Sequence, residues 1–294
     1  MRKIIYKVIN SLGYKIENRK KLLDKELNYL SKFNATSTRN VLYRSRGFIK
    51  SINEQFPELK IENHENGFLV KFSNVEIFVE SPEEFFIVKE VFVEKDYNFF
   101  TKNKATVIDI GANIGIASVF FSTLPQVDNI YSFEPVKDTY EMAKMNFKIN
   151  EKIAKVAAIE NIGLGGNNRN ETFIFNRDNK GNSGVRGELS PSYAFENLAN
   201  VKVDVVIKDS TEILNKIIES NANNSIVVKM DCEGAEYEIF ENIVNSKIIE
   251  KIDVFMIEWH DKGSETIENE LKKYGFNYFS RNLGPVSGMI YAYK

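Results

Sequence analysis

Cysteine is nearly missing from this sequence of 294 residues: Cys232 is the only one. An intramolecular disulfide framework and a zinc site of several thiolates are therefore excluded, and a reducing cytosol is the expected setting. An excess of one charge is missing too. Lys and Arg number 39 against 41 Asp and Glu, for a net charge of -2, so no overall basic field argues for nucleic acid as a partner. Long apolar runs are absent, since stretches such as 119–121 and 254–257 fall far short of the roughly 20 residues that cross a bilayer. These absences point to a cytoplasmic protein, soluble or at most membrane-peripheral. Core-forming material is plentiful: 43% of the residues are hydrophobic, and the length suits one large domain or a catalytic domain with a smaller one attached.

The first 25 residues are basic and amphipathic. Ile4, Ile5, Val8, Ile9 and Leu12 recur at helical spacing among Arg2, Lys3 and Lys7, and Lys15, Arg19, Lys20, Lys21 and Lys25 follow. A signal peptide's continuous apolar core is not there. Packing of the apolar face on the protein or on a second subunit is expected, with an anionic membrane surface as the alternative. Residues 1–97 then read as a helical segment plus a β-hairpin cap. Helices are expected around 19–33 and 40–52, and alternating strands at 68–72 and 75–79 flank Ser73-Asn74 as a hairpin. Ser81, Pro82 and the acids Glu83 and Glu84 form a helix start ahead of 85–92.

From 98 to 294 the chain alternates strand and helix. A strand at 107–110 leads to a helix at 116–124; strands at 129–133 and 155–160 flank a helix at 136–150. Further strands are expected at 171–176, 201–207, 225–231 and 253–259, with helices at 233–245 and 264–274 and a terminal antiparallel hairpin of 276–280 and 286–293. This rhythm predicts an α/β fold whose sheet is mostly parallel. The Asn/Gly/Ser-rich stretch 177–200, with Arg186, Ser192 and Tyr193, is the candidate substrate loop, because a loop of that length inside a compact domain is otherwise uncommon.

The chemistry starts at the VIDIGANIG run over 107–115. Gly111 and Gly115 allow a tight turn between a buried strand and a helix N-terminus, and Asp109 lies at the carboxyl end of that strand, the edge where open α/β sheets bind ligands. Asn113 stands where a dinucleotide fingerprint has its middle glycine, which disfavours a pyrophosphate ligand. Glu134 ends the next strand 23 residues after Gly111, the interval expected of a carboxylate that accepts a ribose diol. Lys229 lies mid-strand and shares a face with Val227 and Asp231; a buried charge there needs a carboxylate, and Asp109 or Glu258 is the expected partner.

IDIGANIG at 108–115, FEP at 133–135, KMDCEGAE at 229–236 and IEWH at 257–260, in that order, resemble the FkbM family of S-adenosylmethionine-dependent methyltransferases. The resemblance covers about 106–260, and KMDCEGAE is its discriminating block. It implies a Rossmann-like class I methyltransferase sheet carrying S-adenosylmethionine. Asp109, Gly111, Asn113 and Gly115 would contact or order the methionine and ribose part, Glu134 would take the diol, and Asn161 or Ile162, with Gly163 beside them, would meet the adenine. A ligand without phosphates fits a turn without the full glycine set. The expected reaction is O-methylation of a small-molecule, natural-product or glycan hydroxyl, with Asp231 or His260 as base. Asp231, Glu258 and His260, with Glu233 nearby, also match a divalent-metal set, although a metal is not expected. His64 is expected at the surface. The rival readings are a nicotinamide-dependent oxidoreductase, disfavoured by Asn113, and a catalytically inactive binding module of the same fold.

Overall fold

The structure is a computed structural model that describes residues 7, 9, 11–13, 18–33, 39–176 and 200–294. About half of the basic N-terminal stretch and nearly all of the candidate substrate loop at 177–200 thus lie outside the described residues. Among those described, no helix is long and apolar enough to cross a membrane.

The N-terminal part combines short helices with a small sheet. Asn18 caps α1 (Arg19–Ser31) by accepting from the N–H groups of Lys20 and Lys21. The single helix expected at 40–52 is two, α2 (Arg39–Arg44) and α3 (Arg46–Gln55), parted at Ser45, whose hydroxyl donates to the Val41 carbonyl at 2.7 Å. The expected hairpin is present as β2 (Gly67–Phe72) and β3 (Val75–Val79), with Ser73 and Asn74 at positive φ in its turn. A further strand, β1 (Lys60–His64), pairs antiparallel with β2. Helix α4 (Pro82–Val88) starts with the anticipated capping box of Ser81 and Glu84, and a π-helical turn, Lys89–Glu94, follows it.

The main sheet is formed by β4 (Ala105–Ile110), β5 (Val127–Phe133), β6 (Ala157–Glu160), β10 (Ser225–Met230), β11 (Val254–His260), β12 (Asn277–Asn282) and β13 (Ser287–Tyr293), in the order β12-β13-β11-β10-β4-β5-β6. Strands β6, β5, β4, β10 and β11 run parallel, and the β12–β13 hairpin closes one edge antiparallel. Helix α5 (Ile116–Thr123) follows β4, and α6 (Lys137–Ile149) and the single turn α7 (Ile153–Val156) follow β5. The strands expected at 171–176 and 201–207 do not join this sheet. They are β8 (Arg169–Asn176) and β9 (Asn200–Asp209), which form a separate three-stranded sheet with β7 (Gly163–Gly165). Between β9 and β10 lies α8 (Ser210–Ser220), capped by Asp209. The helix expected from 233 begins only at Glu236 as α9 (Glu236–Asn245), because Glu233 and Gly234 both have positive φ, which a helix excludes. Helix α10 (Glu265–Lys273) precedes β12.

The two faces of the main sheet bury different partners. Val107, Val227 and Met256 pack with the cap residues Phe68, Ile77 and Phe85 in one continuous core, whereas Ile108, Val228 and Phe255 pack with α8 and α9. The cap is also hydrogen-bonded to the main domain. Asn146 of α6, fully buried, accepts from Phe78 N–H at 2.7 Å, and Asn150 accepts from Glu76 N–H at 2.9 Å, so two amides extend the exposed edge of β3. This seating brings α4 and the π-helical turn over the carboxyl edge of the main sheet.

Candidate active site

The turn after β4 is set by close backbone crossings. At φ 79° Gly111 passes so near the next loop that a Cβ would fall 1.9 Å from the Asp231 carbonyl oxygen, and the N–H groups of Gly111 and Ala112 donate to the Phe133 carbonyl at 3.1 and 3.0 Å. Gly115, at φ 82°, clears Phe147 of α6, which a Cβ would meet at 2.7 Å. Glu134 is locked beside this turn. Its two carboxylate oxygens accept from Asn113 N–H and Val136 N–H, both at 2.9 Å. Burial raises its pKa to about 7, against the opposing pull of those two N–H donors and of Lys229.

A cleft opens here, lined among others by Gly111, Asn113, Glu134, Leu164 and Asp231 and roofed by Arg169, Phe173 and Ile207 of the small sheet. Arg169 pairs with Glu238 of α9 at 2.7 Å and with Glu171 at 2.9 Å, fixing the roof to the main domain. Asn161 and Ile162 do not line the cleft; Gly163 and Leu164 do. The amide of Asn161 turns back to donate to the carbonyls of Glu134 and Pro135, both at 2.9 Å, and Ile162 packs against the apolar core. Asp109 is fully buried beneath the turn, with Ser118 Oγ donating to Oδ2 at 2.6 Å and Lys229 Nζ 3.2 Å from Oδ1. It orders the turn from below and does not reach the cleft. Of the two partners expected for Lys229, the structure selects Asp109. The ammonium also donates to the Gly111 carbonyl at 2.7 Å. Burial opposes its charge, but Asp109 and Asp231 outweigh that and raise its pKa.

On the other side of Gly111, Asn113 and Asp231 lies a second cavity of about 360 Å³ between the cap and the sheet edge. Phe86, Ile87 and Tyr97 supply apolar wall, and Glu83, Glu90, Asp231, Glu233 and Glu258 make it acidic. Tyr97 O–H donates to Asp231 Oδ2 at 3.2 Å. Burial, with Glu258, Asp96 and Asp231 nearby, lifts the Glu90 pKa to about 8, and burial beside Asp231 also raises that of Glu258. His260 sits behind Glu258. Its Nδ1–H donates to the fully buried Glu236 at 2.7 Å, while Nε2 lies 3.4 Å from Glu258 and 3.8 Å from Glu233. Burial alone would lower its pKa, but these carboxylates push it up to about 11. An imidazole so held is protonated at neutral pH and is no base, which leaves Asp231 as the candidate proton acceptor.

The structure therefore brings Gly111, Asn113, Glu134 and Asp231 to a shared edge, with Asp109 and His260 behind them. His64, in contrast, packs edge-on against Phe78 in the cap. Tyr97 and Glu90 carry no motif, and only the docking of the cap places them here. Glu236 falls within the KMDCEGAE block, but the orienting of His260 appears only once β10 and β11 are set side by side.

Comparison with known proteins finds relatives among methyltransferases. Methyltransferase sdnD of Sordaria araneosa is 25% identical over 179 residues, covering 54% of this chain and 68% of that protein. Methyltransferase 1 of Beauveria bassiana is 24% identical over 169 residues, covering 54% of this chain and 66% of that one. A solved FkbM methyltransferase from Methylobacillus flagellatus aligns with 92% of this chain and 58% of its own at 12% identity and a TM-score of 0.44. The family profile described as the methyltransferase FkbM domain matches residues 109–278, more than half of the sequence and all of the sheet edge just described, and the chain belongs to that methyltransferase family.

Proposed function

We propose that this protein transfers the methyl group of S-adenosylmethionine to a hydroxyl of a glycan or small natural-product acceptor. The observation that carries the reading is Glu134: a buried strand-end carboxylate, fixed by two backbone N–H donors, beside a glycine turn that has Asn113 where a pyrophosphate site needs glycine. The cleft at Glu134 would hold the adenosine, with Gly163 and Leu164 against the base, and the acidic cavity under the cap would hold the acceptor. Gly111, Asn113 and Asp231 line both spaces, which supports a reading with the sulfonium methyl at their boundary.

Transfer is an in-line displacement. The acceptor O–H bond breaks, its proton passes to Asp231, the oxygen attacks the methyl carbon, and the C–S bond breaks to leave neutral S-adenosylhomocysteine. Positioning supplies most of the rate in such a reaction, and Tyr97 and Lys229 both hold Asp231 at Oδ2, at 3.2 and 3.7 Å. The test is calorimetry with S-adenosylhomocysteine. Saturable binding that falls at least tenfold in Glu134→Ala supports the reading. Absence of binding, or binding unchanged by that substitution, removes it; saturable binding of a nicotinamide dinucleotide instead would favour the oxidoreductase.

A further inference from the structure

We infer that Asp231, Glu258 and His260 form a divalent-metal site at the floor of the cavity under the cap. One donor atom from each lies within 4.8 Å of the other two. Around an ion with ligands at roughly 2.1 Å, neighbouring donors stand about 3 Å apart and opposite ones about 4 Å apart, so the cluster closes on an ion with small side-chain movements. Two of the three line the cavity, so the remaining coordination positions face it.

The histidine carries the argument beyond a group of acids. It is 7% exposed, and its Nδ1–H is fixed by Glu236 at 2.7 Å. The second oxygen of Glu236 accepts from Gly234 N–H at 2.7 Å, so that the carboxylate cannot swing away. The ring is thereby held with Nε2 toward Glu258 and Glu233. A buried carboxylate that fixes the far nitrogen of a histidine, and so aims the near one, is the outer-sphere arrangement of metal-bound imidazoles. Charge points the same way. Asp231, Glu233, Glu236 and Glu258 gather about one imidazole, and the buried Lys229 beside them divides its charge between Asp109 at 3.2 Å and Asp231 at 3.7 Å. A protonated His260 and Lys229 supply two positive charges against Asp109 and these four carboxylates, and a divalent ion taking the place of the Nε2 proton would offset the excess. Two carboxylates and one nitrogen suit a hard or borderline ion such as Mg²⁺ or Mn²⁺. There it would bind the acceptor oxygen and lower its pKa, with one Asp231 oxygen on the ion and the other, on the Tyr97 side, left for the proton.

The role given to the ion rests on the acceptor cavity proposed above, but its binding is measured independently. The experiment is Mn²⁺ titration of the metal-stripped full-length protein, followed by electron paramagnetic resonance, with S-adenosylhomocysteine calorimetry on the same sample. We expect one Mn²⁺ per chain, bound at least tenfold more weakly in Glu258→Gln and 10 to 100-fold more weakly in Glu236→Gln. His260→Ala should behave like Glu258→Gln, and circular dichroism confirms that each variant is folded. Absence of Mn²⁺, Mg²⁺ and Zn²⁺ binding at millimolar concentration, or equal binding by folded Glu258→Gln, overturns the inference. Cofactor binding without metal binding removes only the metal, and the converse removes only the cofactor reading.

Discussion

Asp109 and Lys229 are register partners on adjacent parallel strands, and their charged atoms meet at 3.2 Å, the carboxylate fully buried and the lysine nearly so. The same ammonium holds the Gly111 carbonyl, so one buried ion pair ties the central strands to the glycine turn. Breaking such a pair from one side leaves a charge in an apolar layer, which typically costs about 3–5 kcal/mol, whereas replacing both ends with apolar groups is far milder. Lys229→Met should therefore lower stability to urea strongly, and Asp109→Leu combined with Lys229→Met should recover much of the loss. The double variant should still bind S-adenosylhomocysteine weakly, because the Gly111 carbonyl has lost its donor. Equal stability of the single and double variants would show that the pair is not coupled.

Tyr97 adds a second hold on this edge, and its role is separable from binding. Its O–H donates to Asp231 Oδ2 from a position beside the cap, 5.4 Å from the Lys229 ammonium at the ring centroid. Tyr97→Phe keeps the ring and removes one hydrogen bond to the proton acceptor. The expected result is a kcat about tenfold lower, a modest share of what proton transfer contributes, with acceptor KM and S-adenosylhomocysteine affinity unchanged. A rise in KM at constant kcat would assign Tyr97 to acceptor binding instead.

Much of this architecture was legible in the sequence, and the exceptions have physical causes. The central strands show because β4 and β10 are buried on both faces, giving apolar runs that end in glycine turns. Strand β1 does not show, since Ile61 is its single buried residue and nothing alternates. Helix α8 is absent from the sequence reading despite the Asp209 cap and the apolar Leu214, Ile217 and Ile218, because it directly continues a strand with no turn residue between them. The small sheet escapes local reading because its pairing joins Gly163 to Ile207 across more than forty residues. At the site, the interval after Gly111 leads to Glu134, which the structure sets beside the glycine turn. Asn161 was misplaced because its amide serves the preceding turn. Tyr97 and Glu90 depend on docking of the cap, which no spacing encodes.

The raised pKa of Glu134 predicts pH-dependent cofactor binding with a definite sign. A ribose diol donates two O–H bonds, so it binds the carboxylate form, which in the free protein becomes the major form only above a pKa of about 7. Affinity for S-adenosylhomocysteine should rise about tenfold from pH 6 to pH 8, since a group of that pKa is about one-tenth ionised at the first value and nine-tenths at the second. Glu134→Gln should bind weakly and show no such rise. The folded protein without ligand has the opposite preference. With its pKa raised on folding, Glu134 contributes stability that is complete below the ordinary carboxylate value of 4.5 and lost as pH climbs through about 7. Calorimetry at several pH values checks the first statement; a flat profile would mean that Glu134 does not meet the diol.

The amide of Asn146 makes the last prediction, because it joins cap and main domain at a point remote from the chemistry. Its Oδ1 accepts from Phe78 N–H at 2.7 Å, and its Nδ2 donates to the Ile114 carbonyl at 2.8 Å, bridging β3 to the segment that opens α5. Asn146→Ala would leave those two backbone groups without these partners in a buried setting, at about 1–3 kcal/mol each where water cannot replace them. The loss should fall on the seating of β3, which precedes α4 and the π-helical turn that wall the acceptor cavity. Amide hydrogen exchange should accelerate in 75–94 and stay unchanged in β4 and β10. Acceptor KM should rise while S-adenosylhomocysteine affinity holds, since Glu134 and the glycine turn keep their own contacts. If exchange rose equally throughout the main sheet, the amide would be supporting the whole fold, and the cap would have no separable hold on the acceptor.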